Sequence, residues 1–282
     1  MVLEALIKPW KAENKPLNMI LYGILYASVA VILSLWIFKD QSSMIMVFLT
    51  VIACLPLIHR ALIQEEKKEL RLKQEARILK SHSKILEFML FLFIGFVIAF
   101  SLWSIFLPSS TVEVLFKTQM HTIAAINNQV TAGAYSTEFL SAILINNMKV
   151  LFFSLFFALF YGAGAIFILT WNASVIASAI GTFVRNNIGA YAQQIGLVRA
   201  AGYMHIFSLG LLRYMTHGLF EILAYFIGAL AGGLISVAIV RHDTGTEDFR
   251  IIMKDAIMLV TIAILILLLA GIIEVYVTPS II

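Results

Sequence analysis

His217 and Glu221 stand four residues apart in the run Thr216-His217-Gly218-Leu219-Phe220-Glu221, so on a helix they share one face. An imidazole beside a carboxylate can relay a proton or bind a cation. The same pair can also satisfy itself and lock its helix to its neighbours, and the residues alone leave both readings open. Their face continues through Ala224, Gly228, Ala231 and Gly232. Gly228-x-x-x-Gly232 is a spacing that lets a second helix approach closely, so these two glycines are expected to be packing residues. Phe226 falls on the opposite face, where a conservative change should be mild. Other polar groups interrupt or end apolar runs at Asn146-Asn147, at Arg185 and at Glu274. Asn147, Ser154 and Tyr161 recur at seven-residue steps and share a face, from which Lys149 points away.

No phosphate-binding loop, dinucleotide fingerprint, HExxH zinc motif or GxSxG elbow occurs. No nucleophile accompanies His217 and Glu221. The chain is therefore not expected to be an enzyme, and no catalytic residue, metal site or cofactor is expected. The one cysteine, Cys54, lies in an apolar run, which excludes a disulfide within the chain and a thiolate metal cluster.

The elements that must hold these groups follow from composition. Of 282 residues, 61% are hydrophobic and 13% charged, and the mean hydropathy is +0.95. Soluble domains carry about 25% charged residues, so lipid must be the solvent for much of this chain. A helical span needs about 20 apolar residues. Candidates cover residues 17–38, 44–63, 86–107, 144–170, 216–240 and 256–273, with a shorter run at 173–184. That short run reaches only about 18 Å as a helix, so after a turn at Trp171-Asn172-Ala173 it either continues through Arg185-Asn186-Asn187 or turns back as a re-entrant piece, and it is counted as a short fifth span. The fold expected is all-α: a polytopic transmembrane helical bundle of about seven spans with one short or broken helix.

With seven spans, fourteen of the twenty Lys and Arg residues fall on one side. The positive-inside rule makes that side cytoplasmic, with the N-terminus inside and the C-terminus outside a cell membrane. The basic excess is thus topology, and no nucleic acid is expected as a partner. Residues 64–84 form a charged stretch that extends the second span as a cytoplasmic helix. Residues 112–126 are weakly amphipathic and suit the membrane surface on the outer side. This topology brings Asn146, Asn147, Arg185, His217, Glu221 and Glu274 to a similar height near the outer leaflet. Groups that are each costly in hydrocarbon, gathered at one level, imply a shared polar cluster, with Asn147, His217, Glu221 and Glu274 as its core.

At these residues the chain resembles the stage II sporulation protein M family of membrane proteins. The resemblance rests on Asn146-Asn147, Gly162-Ala163-Gly164, Trp171-Asn172-Ala173, His217-Gly218-Leu219-Phe220-Glu221 with Gly228 and Gly232-Gly233, and Ile273-Glu274-Val275-Tyr276-Val277-Thr278-Pro279. It covers roughly residues 86–279, where the family turn usually reads Asn-Gly against Asn172-Ala173 here. Two domains follow: a transmembrane hairpin with its charged helix over 1–85, and a family-like membrane domain over 86–282. The resemblance implies a scaffold without catalytic residues, similar to one that holds peptidoglycan-degrading partners at the division septum during engulfment.

The expected function is that of a non-enzymatic multi-pass membrane protein that recruits or organises cell-envelope partners. The alternative is a permease or channel component with an outer-leaflet site on His217, Glu221, Asn147 and Glu274, which the interrupted fifth run favours. Expected partners are the lipid bilayer and other membrane or envelope proteins, or a second copy of the chain.

Overall fold

The computed structural model describes residues 17–72, 82–130, 137–158, 163–187, 197–241 and 245–277. Among them the regular elements are helices: α1 (Asn18–Ile37), a 3-10 turn (Lys39–Gln41), α2 (Ser42–Leu72), α3 (Ser83–Phe106), α4 (Ser109–Leu115), α5 (Lys117–Val130), α6 (Thr137–Ala158), α7 (Ala163–Asn187), α8 (Leu197–Arg241) and α9 (Glu247–Ile272), which runs into a π-helical turn (Ile273–Val277). Seven segments are long and apolar enough to cross a membrane: Asn18–Ile37, Lys39–Glu65, Ser83–Phe106, Leu140–Ala158, Ile166–Asn187, Gly218–Val240 and Glu247–Val277. The chain is an all-α polytopic bundle.

Helices are what lipid demands, because each satisfies its backbone hydrogen bonds internally. Lipid also removes the hydrophobic drive between helices, so close packing at small residues must hold them together. Gly23 of α1 and Gly95 of α3 meet backbone to backbone; a Cβ on Gly95 would overlap the carbonyl oxygen of Ile20. Farther along the same parallel pair, Trp103 Nε1 donates to Ser28 Oγ at 3.1 Å. The outer face of α1, with Leu21, Leu25, Ile32 and Trp36, is exposed and apolar as a lipid-facing surface must be.

α8 is the most enclosed span. Gly228 lies against the Leu151 side chain of α6, and Gly232 lies against the Leu155 carbonyl and the Ala158 methyl. The two helices run parallel, since position 151 meets 228 and position 155 meets 232. Phe226 corrects the expectation of a tolerant opposite face: it is buried and meets Phe93 of α3 edge to face at 5.7 Å. Around position 226 the helix is enclosed by neighbours, so that face is not free.

The fifth span continues through Arg185-Asn186-Asn187, one of the two alternatives, but departs from expectation at its start. α7 runs unbroken through Trp171-Asn172-Ala173, and no turn occurs there. Inside a helix, Asn172 Nδ2 donates to the Ile168 carbonyl at 2.9 Å and Ser174 Oγ to the Trp171 carbonyl at 2.7 Å, so neither needs a turn to be satisfied. The run expected as one span over 144–170 is instead two helices, α6 ending at Ala158 and α7 beginning at Ala163, and the fifth span is full length. Residues 112–126 differ as well. They form parts of α4 and α5, and Val112, Leu115, Gln119 and Phe116 at the junction between the two helices are buried in the bundle.

Of the charged stretch, α2 extends to Leu72. Residues 73–81 lie outside the described residues, as do Tyr161, Gly162, Thr278 and Pro279.

Gly232→Ala should destabilise the fold by about 1–3 kcal/mol, because its methyl would press on backbone that cannot yield. Gly228→Ala should be milder, since the flexible end of Leu151 stands in the way. Thermal unfolding in detergent decides, and equal melting temperatures for wild type and Gly232→Ala would show that this contact does not hold the helices.

Candidate functional site

Three elements converge at one end of the bundle. α6 supplies Asn147, buried on the face that also carries Ser154. α8 supplies Glu221 and, one turn on, the buried Tyr225. The π-helical turn after α9 supplies Glu274. The register of α6 on α8 that seats Gly228 and Gly232 also places Asn147 beside Glu221, and Asn147 Nδ2 donates to Glu221 Oε1. The end of α9 is drawn in at Gly271, where a Cβ would stand 2.7 Å from the Leu144 side chain. Glu274 thereby comes within electrostatic range of Glu221. Tyr225 lies within electrostatic range of both.

The chemistry of this cluster is that of two carboxyl groups brought near each other beside one amide. The Asn147 amide can serve either as donor or, turned over, as an acceptor for a cation. Among the described residues no group of three or more His, Cys, Asp and Glu side chains is arranged to hold a metal ion.

The other candidates fall elsewhere. His217 is one turn before Glu221 on α8, but its side chain lies outside the described residues. Asn146 is exposed, on the other side of α6 from its neighbour Asn147. Arg185, which the sequence grouped with the cluster, instead closes the end of α3. Its Nε donates to the Ser104 carbonyl at 2.7 Å, one terminal nitrogen to Ser109 Oγ at 3.0 Å, and the other to the Leu107 carbonyl. Carbonyls at a helix C-terminus lack intrahelical partners and carry the negative end of the helix dipole, so a guanidinium fits there.

Two polar clusters had no signal in the sequence. Glu65 of α2 pairs with His82 at 2.7 Å, its carboxylate accepting from an Nδ1–H of the imidazole, with both side chains 2% exposed. One residue in a charge run and another seventeen positions later share no spacing rule. Gln119, fully buried, takes a hydrogen bond from Ser43 Oγ at 2.8 Å and donates to Ser174 Oγ at 3.1 Å, tying α5 to α2 and α7.

The model of the family described as stage II sporulation protein M matches residues 85–279, more than half of the chain. The chain belongs to the stage II sporulation protein M family. The matched stretch takes in Asn147, Glu221 and Glu274, and it leaves α1 and α2 outside. The chain is also similar to an uncharacterized protein of Methanocaldococcus jannaschii, 28% identical over 143 residues that make up 50% of this chain and 71% of that one. No solved structure matches. Family membership and seven apolar helices together make this a multi-pass membrane protein.

Asn147→Leu and Glu221→Leu, made singly and together, should show a coupling of about 0.6–1.7 kcal/mol, the range found for hydrogen bonds between membrane helices. Unfolding in detergent supplies the four free energies. Additive effects would mean that the two side chains do not act on each other.

Proposed function

We propose that this family member is a non-enzymatic organiser of the cell envelope, resident in the cytoplasmic membrane with its N-terminus inside and its C-terminus outside. In this reading it recruits other membrane or envelope proteins, as the engulfment scaffold it resembles does. The observation that carries the reading is the span Leu140–Ala158. Only 17% of it is buried within the bundle, less than for any of the other six spans. Its outward side carries a ladder of aromatic rings, with Phe152 stacked on Phe156 and Phe153 on Phe157 at centroid distances of 6.0 and 5.8 Å. All four are exposed. Large rigid side chains lose little conformational freedom on contact, which makes such a face a good seat for a partner's transmembrane helix. The test is a photo-crosslinking residue at position 156 in the native membrane, with position 25 of α1, also exposed, as control. Discrete protein adducts at 156 and lipid adducts at 25 are expected. Lipid adducts alone at both positions would remove the recruiter reading.

A second reading is favoured by the carboxyl pair. Ionisable groups inside a membrane bundle commonly mark a pathway for protons or solutes. A permease or channel component would use Asn147, Glu221 and Glu274 as its site, with His217 on the preceding turn. Solute or proton flux in proteoliposomes should then be present for the wild type and abolished by Glu221→Gln. Absence of any flux, or flux indifferent to that change, would count against transport.

A further inference from the structure

A lysine stands on the outward side of α6 at the depth where a charge is hardest to keep. Lys149 is exposed. It is the central residue of the span Leu140–Ala158, which puts it about 13 Å from either end at the helical rise of about 1.5 Å per residue. The register of α6 on α8 gives the same depth independently. Leu151, two residues on, meets Gly228, and Gly228 lies beside the midpoint of the span Gly218–Val240. Lysines near span ends reach water by extending their stems, but a four-carbon stem is too short to do so from mid-span.

Lys149 is central to the outward face and not at its edge. Ile145, one turn before, and Phe152, one turn after, are 56% and 60% exposed. Asn146, three residues before Lys149, is exposed on the same side. Among the described residues Lys149 has no ion-pair partner. The carboxylate nearest in height, Glu221, lies on the inner side of α6, where Asn147 meets it. A second copy of the chain does not supply the missing charge. In a two-fold contact of α6 with itself, like ammonium groups would be brought together. The exposed acidic residues that are described, Asp40, Glu87, Glu113, Glu247 and Asp248, lie near span ends or in connecting segments.

We propose that Lys149, with Asn146 beside it, makes the aromatic face of α6 a docking site for a membrane helix of another protein that carries a carboxylate at mid-membrane. The inference rests on the recruiter reading and specifies the partner's chemistry. A charge in hydrocarbon is costly unless it is paired, and a carboxylate on the facing helix pairs it while meeting its own need for a counter-charge. The ammonium donates to the carboxylate, and the Asn146 amide supplies a second donor on the same side. Phe152, Phe153, Phe156 and Phe157 give the contact area farther along the helix. Rings alone would accept any apolar helix. The lysine supplies selectivity, because a helix without the acid would cover the ammonium and leave it unpaired.

The test uses the full chain in proteoliposomes with a photo-crosslinking residue at the exposed position 152. The probes are synthetic leucine–alanine membrane helices of about 20 residues with a central Asp, Leu or Lys. The wild type should crosslink the Asp probe about tenfold more than the Leu probe, the scale of a polar pair between membrane helices. Lys149→Met keeps a stem of similar length without the charge and should crosslink the two probes alike. Lys149→Glu should turn the preference to the Lys probe. Equal crosslinking of the Asp and Leu probes by the wild type overturns the proposal, as does a preference for Asp that survives in Lys149→Met. In the native membrane, protein adducts at position 156 should fall by a similar factor in Lys149→Met. Adducts of undiminished yield overturn the pairing and leave the recruiter reading standing. Absence of protein adducts from the wild type is a different result, which removes the recruiter reading and the proposal with it.

Discussion

Contact at Gly232 with the backbone of α6, helped by the seat that Gly228 leaves for Leu151, sets the spacing between α6 and α8, and the polar cluster depends on that spacing. With the Leu155 carbonyl and the Ala158 methyl pressed against Gly232, α6 stands close enough for Asn147 to reach Glu221. A side chain at Gly232 would press on the backbone of α6 and hold the helices apart, and the amide farther along would lose its partner. In lipid there is no hydrophobic gain to close such a gap again. The small-residue stripe and the polar site are therefore one device read at two heights. The same logic recurs at Gly271, which admits the end of α9 and with it Glu274.

Polar side chains elsewhere do a different kind of work. Arg185 supplies donors to α3 carbonyls that have no helical partner, while Gln119 pins α5 between α2 and α7. Glu65 and His82 join the ends of α2 and α3 at the far end of the bundle. Each resolves the same difficulty: a helix terminus or a connecting segment inside an apolar environment must find hydrogen bonds within the protein. These groups are spent on architecture. The carboxyl pair stands apart because it brings two ionisable groups of like sign near each other beside one amide.

The family match begins near the start of α3, yet α1 and α2 are no loose appendage. Gly23 is sunk against α3, Phe48 of α2 packs on Phe167 of α7 at 5.0 Å, and Ser43 reaches Gln119. An addition to a membrane domain that packs at glycine and through buried hydroxyls becomes part of the bundle.

The sequence by itself determined the class of fold, because a chain of this composition has only lipid as a workable solvent and only helices satisfy their backbones there. It also marked Asn147, Glu221 and Glu274, since polar groups in long apolar runs are conspicuous against so uniform a background. Spacing along one helix showed that Gly228 and Gly232 share the face of Glu221. Tertiary structure decided what spacing cannot carry. Whether Asn172 ends a helix or bonds back within it depends on surroundings, and here α7 continues. Arg185 was grouped with the cluster by height alone, but height does not say which neighbour lies beside a helix, and the open carbonyls of α3 took it. Phe226 looked free on a helical wheel, because a wheel shows the faces of one helix and not how many others surround it. Glu65, His82 and Gln119 were invisible for the most basic reason: their partners are distant in sequence, and only the folded bundle brings them together.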